Sequence, residues 1–285
     1  MGFKKIKQFF QVAYLCIAIT CFSYVMSVSM DFSRSRGEKH QKTPVTREIE
    51  NSEGKKYALL VNAGEYFKNR VKFAYASLRR AGFSDDSITV LESVKNPESY
   101  VDGKADYETL KTTLNRLKKE IKPNDTFLLY TTNHGKRRNI VSGESELFLE
   151  GRTISASQLK ELYQGLNPNY TFAIFSQCHG QGFAAQFGED NLVSMSAAGR
   201  GKASFKEKYN PEGFDFQIFS AIGGETPEGK KVNPDVNDDG KVSIDEIFEY
   251  NAQNNLNTKP RLIGYGKETP QMFWQNANPR NLHIR

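Results

Sequence analysis

Residues 170–183 read YTFAIFSQCHGQGF, and the reading of this stretch decides the fold. The apolar run 172–175 predicts a buried strand that leads straight into Ser176, Gln177 and Cys178. Gly180 and Gly182 follow, residues that let the backbone turn sharply and let a substrate approach. A cysteine at the carboxyl end of a buried strand stands where open α/β sheets place their ligand sites. Residues 125–135, DTFLLYTTNHG, repeat that grammar with His134 in the corresponding place. Two strands, one ending in a nucleophile and one in a base, point to a thiol hydrolase.

Working outward, residues 57–61 (YALLV), 88–91 and 126–131 read as further apolar strands, and 191–197 as another. Between them lie amphipathic helices over 70–81, with Gly82 as its stop, and over 107–121, where Leu110, Leu114, Leu117 and Ile121 share one face. Further helices are expected at 158–165, 215–222 and 244–253, and a hairpin over 139–149 turning at Gly143. Alternation of strand and helix with apolar strands predicts an α/β domain over 57–285, a mainly parallel sheet covered by helices on both faces. Right-handed crossovers put the ends of the third and fourth strands along one edge.

The front of the chain is different. Lys4, Lys5 and Lys7 precede an uncharged apolar stretch, 9–28, with small residues at Ser27 and Ser29. This predicts a secretory signal or an uncleaved membrane anchor over 1–30, and hence an exported protein whose only membrane contact is that segment. Residues 31–56 are polar, charged and aperiodic, and read as a flexible tether. Of the three cysteines, Cys16 and Cys21 fall in the apolar segment, so the exported portion keeps Cys178 alone and can form no internal disulfide. The alternative for that thiol is a small buried hydrophobe. A formal charge of +6 falls to +3 without the first three lysines and does not point to nucleic acid; the run 136–138, KRR, reads as a solvated loop.

A thiolate attacks an acyl carbon, and a nearby imidazole helps form it and then protonates the leaving amine. His40 falls in the tether and His283 near the terminus. His179 is a poor base, because neighbouring side chains on an extended backbone point to opposite sides. His134 is left as the partner of Cys178, with the backbone amides of Cys178 and Gly135 as oxyanion donors.

YTTNHG and FSQCHG resemble the paired strand-end blocks of legumain-type cysteine peptidases, whose caspase-like fold also includes the catalytic subunit of GPI transamidase. The resemblance covers most of 55–250. It implies His134 as base, Cys178 as nucleophile and Gly135 as lender of an oxyanion amide, in an endopeptidase acting on protein or peptide substrates. It further implies substrate-binding positions at Arg70, Ser176, Ser196 and Asp215, an arginine–aspartate combination suited to asparagine or aspartate. The chain departs from the pattern at three places: Ser176 replaces a glutamate, Lys68 stands where a supporting asparagine is expected, and Asn133 replaces an aspartate. These departures keep open a non-catalytic, calcium-stabilised binding protein of the same fold, and the resemblance itself also allows a transpeptidase or transamidase using the same dyad.

Residues 235–246, DVNDDGKVSIDE, carry a second chemistry. Oxygen-bearing side chains at Asp235, Asn237 and Asp239, a glycine at Gly240, the Lys241 carbonyl and Glu246 match the ligand spacing of an EF-hand calcium loop. Ser243 and Glu246 also spell a capping box for the helix that follows. The expected cofactor is a single structural Ca²⁺, with no organic cofactor. The bland reading is an Asp/Asn/Gly turn with a capped helix and no metal. Cys178, His179 and His134 lack the spacing of zinc motifs.

Overall fold

A computed structural model of the protein describes residues 54–137, 144–188, 191–199, 202–204, 211–256 and 268–285. All belong to one unit, Glu50–Arg285. The expected signal or anchor, and the tether up to residue 53, lie outside the described residues. Among the described residues no helix is long and apolar enough to cross a membrane.

Six strands form the main sheet in the order β2-β1-β3-β7-β8-β9. They are β1 (Lys56–Asn62), β2 (Ile88–Glu92), β3 (Thr126–Thr132), β7 (Tyr170–Phe175), β8 (Leu192–Ser196) and β9 (Gln271–Phe273). All neighbours pair in parallel except β9, which runs antiparallel to β8. A parallel sheet buries both of its faces, and the strands show it: β2 and β7 are buried at every residue.

The period-two alternation of a strand sorts each one between two cores. Ala58, Leu60, Leu128, Tyr130, Phe172 and Ile174 face one side. There they meet helices α1 (Lys68–Arg80), α5 (Phe214–Gly223) and α6 (Ile244–Asn254). Leu59, Val61, Leu129, Ala173 and Phe175 face the other, against α2 (Tyr107–Glu120), α3 (Ala156–Tyr163) and the short α4 (Gln181–Ala184). The apolar spacing of α2 works as expected, for Leu110, Leu114 and Leu117 are all buried and Asp106 caps its first turn through the Thr109 amide at 2.8 Å. α3 starts at a reciprocal capping box between Ser155 and Gln158.

The connection after β3 departs from expectation. Gly135–Arg137 is itself a strand, β4, paired antiparallel with β5 (Ser145–Leu149), which pairs in turn with β6 (Arg152–Ser155). Lys136 and Arg137, expected in a solvated loop, therefore belong to this small sheet, and Lys136 bridges to Glu146 at 3.1 Å. Gly143, the expected turn, lies outside the described residues.

Candidate active site

Because β3 and β7 are parallel neighbours, their carboxyl ends open on the same edge. Thr131 pairs with Phe175, and His134 and Cys178 each lie three residues beyond that pair. The bond from the Ser176 amide to the Thr131 carbonyl (2.9 Å) carries the ladder one step past the strands. Gly135 then packs onto the turn itself, with so little room that a β-carbon there would lie 2.2 Å from the Cys178 carbonyl oxygen. Glycine at this place is what lets the segment carrying His134 press on the segment carrying Cys178.

Cys178 is a free, partly buried thiol. The Ser204 amide points at its Sγ from 3.4 Å. His134 is exposed, and its ring meets the buried ring of Phe67 edge-on with centroids 5.3 Å apart. Asn133, buried beside it, donates to the Phe148 carbonyl at 2.9 Å. A carboxylate has no N–H to give that carbonyl, which accounts for the amide at this departure from the peptidase pattern.

The reason given for discounting His179 does not hold. The chain leaves the extended conformation after Phe175, and His179 sits at φ 59°, in the left-handed region. Its Nδ1 is buried without a hydrogen-bond partner among the described residues, and its carbonyl accepts from the Ser145 hydroxyl at 2.7 Å. Burial, helped by the nearby Arg137, holds its imidazole below the ordinary histidine range.

Arg70 and Asp215, assigned by resemblance alone, come together as an ion pair between α1 and α5. Both side chains are only 1% exposed, so the pair is sealed from solvent. The Tyr130 hydroxyl donates to the second Asp215 oxygen at 3.0 Å. The Arg70 guanidinium also lies over the rings of Phe67 and Phe216, 5.9 and 5.7 Å from their centroids. Burial works against the charge on Arg70, but Asp215, Tyr130 and Glu268 together outweigh it and keep the guanidinium firmly protonated. Phe67 thus touches both halves of the site, His134 on one side and Arg70 on the other.

Ser196 does not join that pair. Val193 and Met195 point into the α1–α5 core, while Ser194 bonds to the Ala184 carbonyl of α4, so alternation places Ser196 on the α4 side, beside Gly180. Ser176, by the same rule, falls on the Tyr130 side of β7, fully buried, and its hydroxyl has no partner among the described residues. Lys68 turns outward to Glu98 at 3.7 Å.

Four residues that sequence reading did not single out surround the site. Tyr130 looks like an ordinary apolar strand residue until its hydroxyl is followed to Asp215. Ser204 bridges the thiol to Glu268, donating its hydroxyl at 3.0 Å, and Asn255 holds the other Glu268 oxygen at 2.9 Å. Glu268 is 2% exposed, yet no strand or helix pattern surrounds it to mark it in sequence.

The 235–246 loop has the expected backbone. Gly240 at the sixth position adopts φ 77°. The side chains of Asp235, Asn237 and Asp239 curl back to accept from the amides of Gly240, Asp239 and Lys241, each at 2.9 Å. Glu246 accepts from Val236 (3.0 Å) through one oxygen and from the Ser243 amide (2.8 Å) through the other. Burial raises this carboxyl, but those hydrogen bonds outweigh it and hold it below the usual range. The eighth loop residue, Val242, exchanges amide–carbonyl bonds with the chain's final segment: it donates to Arg285 (3.0 Å) and accepts from Ile284 (3.1 Å).

Neither a protein-family model nor a curated protein sequence matches the chain. Among solved structures, protein GSU0716 from Geobacter sulfurreducens is similar with a TM-score of 0.54 and 13% identity, over 80% of this chain and 97% of that one. That likeness is one of fold: a mixed α/β layer structure with a mainly parallel sheet. Raptor from Chaetomium thermophilum matches 66% of this chain with 20% of its own, at 12% identity and a TM-score of 0.36, too low to carry the fold.

Proposed function

We propose that this protein is an exported cysteine endopeptidase of the caspase-like fold, hydrolysing peptide bonds through Cys178 and His134. The observation that carries the reading is the placement of these two residues at matching positions beyond adjacent parallel strands, with Gly135 pressed against the Cys178 carbonyl. In this mechanism the Cys178 sulfur forms a bond to the acyl carbon, and its proton passes to His134. His134 then gives the proton to the leaving nitrogen as the C–N bond breaks, and water releases the acyl group from sulfur. Amides at Cys178 and Gly135 receive the developing oxyanion.

Arg70 and Asp215 supply recognition of the acyl-side residue, asparagine or aspartate, because an amide or carboxylate complements that pair. Ser176 and Ser196 flank the Cys178 turn from opposite sides of the sheet, Ser176 on the side of Tyr130 and Ser196 beside Gly180. The loop 235–246 would hold a structural Ca²⁺ through Asp235, Asn237, Asp239, Glu246 and the Lys241 carbonyl; the left-handed Gly240 supports such a loop, while Asp235 and Asp239 accept from backbone amides and, among the described residues, no three acidic side chains are gathered as a ligand cluster. The ion would pin α6 against α5, and it takes no part in the chemistry.

Replacing Cys178 by alanine tests the reading. Wild type should hydrolyse peptides and take up a thiol-directed activity probe, and Cys178→Ala should do neither. Equal behaviour of the two proteins overturns the peptidase and leaves a binding protein of this fold. An added amine that captures the acyl group in place of water would assign a transpeptidase.

A further inference from the structure

Among the described residues, both hydrogen-bonding contacts of the Cys178 sulfur are to one residue, Ser204. The Ser204 amide points at Sγ from 3.4 Å, and the Ser204 carbonyl oxygen lies 3.8 Å away, in place to accept the S–H. The thiol is therefore bracketed by a donor and an acceptor from the same residue. The donor is the part that matters for attack: an N–H aimed at sulfur favours the thiolate, and a carbonyl oxygen does not.

Ser204 belongs to neither a helix nor a strand, so no ladder fixes it. With its amide and carbonyl turned to Sγ, its anchor is the hydroxyl, which donates to Glu268 Oε1 at 3.0 Å. The second Glu268 oxygen accepts from the side-chain amide of Asn255, the buried residue that caps the end of α6, at 2.9 Å. Thr269 accepts from the Gly199 amide at 2.8 Å, and the Lys202 carbonyl accepts from the His179 amide at 3.0 Å. Residues 268 and 269 thus hold the segment that brackets the thiol, and that segment holds the backbone just after the cysteine.

Glu268 is the expensive part of this arrangement. Its carboxylate is buried, and a neutral side chain would fill the space with less loss of solvation. What the charge adds is a charge-assisted bond to the serine hydroxyl, stronger than a neutral one. The same charge reaches Arg70, which it helps to keep protonated.

We infer that Ser204 is a positioning residue for the nucleophile and that Glu268 fixes it, their hydrogen bond keeping the Ser204 amide on the Cys178 sulfur. The inference rests on the peptidase reading for its effect on turnover, and on the geometry alone for its effect on the thiol.

The test reads turnover and thiol chemistry side by side in the full chain. Ser204→Ala removes the hydroxyl, Ser204→Thr keeps one, and Glu268→Gln keeps the shape of the anchor without its charge. On a peptide with asparagine on the acyl side, Ser204→Ala should lower kcat by roughly tenfold to a hundredfold with KM nearly unchanged, at a temperature where it is folded. Alkylation of Cys178 by iodoacetamide at pH 7, followed by the mass of its proteolytic fragment, should slow by a similar factor. Ser204→Thr should restore both rates, and Glu268→Gln should fall between. A serine that only packs would lower Tm and leave both rates at the wild-type value in the folded variant. That result, or faster alkylation, overturns the positioning role. If Ser204→Ala does not fold, Glu268→Gln is judged by the same two rates. If wild type cleaves no peptide, the peptidase reading fails and alkylation alone decides: slowing in Ser204→Ala that Ser204→Thr reverses upholds the bracket, and equal rates overturn it.

Discussion

Gly135 and the carbonyl of Cys178 are in such close contact that no side chain fits between them: an added β-carbon would stand 2.2 Å from the oxygen. The contact couples the base-bearing segment to the nucleophile-bearing turn. Gly135→Ala should therefore cost about 1–3 kcal/mol of stability from overpacking. It should also lower peptide hydrolysis by far more than that loss explains at a temperature where the variant stays folded. Thermal melts paired with single-turnover rates check this, and full activity in a well-folded variant would refute it.

The sealed pair of Arg70 and Asp215 gives a coupling prediction. Asp215→Asn takes the nearest counter-charge from a buried guanidinium and should destabilise by about 3–5 kcal/mol. Adding Arg70→Met removes the buried charge, while the amide oxygen introduced by Asp215→Asn still accepts from the Tyr130 hydroxyl. The double variant should therefore be more stable than Asp215→Asn alone. Urea denaturation of the four proteins in the cycle decides it. Additive losses would mean that the two residues do not act as a pair.

Glu92 predicts a pH dependence of opposite sign to that of a salt-bridged carboxylate. Burial raises this carboxyl above the ordinary glutamate value, and its bond from Asn62 only partly offsets that. The folded state then holds a proton that the unfolded state releases, so stability is lost as pH rises from the ordinary value through the folded one. Glu92→Gln should raise Tm at pH 7 and leave it nearly unchanged at pH 4. A Tm lowered at both pH values would rule the account out.

Calcium should act on stability through the 235–246 loop. With calcium at a hundredfold over its Kd the gain is about 2.7 kcal/mol, read as an upward shift in Tm that EDTA reverses. Asp235→Ala should abolish the shift. Calcium that stabilises both proteins equally would place any ion elsewhere.

Much of the frame was legible in the chain because buried parallel strands announce themselves as short apolar runs. The strands expected at 57–61 and 126–131 needed at most one added residue at either end, and the one at 172–175 begins earlier, at Tyr170. β9 was not legible, for QMF is three residues long and is held only by its neighbour. The β5–β6 hairpin was missed because its turn, Glu150 with Gly151 at φ 78°, follows directly on the hairpin expected over 139–149, and the four residues of β6 are too short to announce a strand. Within the site, strand ends pointed to His134 and Cys178 by position alone. Arg70 and Asp215 are 145 residues apart, and no local pattern could have joined them; their places came from resemblance. Ser196 stands on the other side of the sheet from them because parity along β8 sets its side, and parity counts only once the register with β7 is fixed.

That separation of 145 residues between Arg70 and Asp215 also sets a timetable. The contact between α1 and α5 can therefore close only after most of the chain has been made. If the pair selects the substrate as proposed, a truncated chain would carry Arg70 without its partner from α5, and completing the fold would also complete the means of selection.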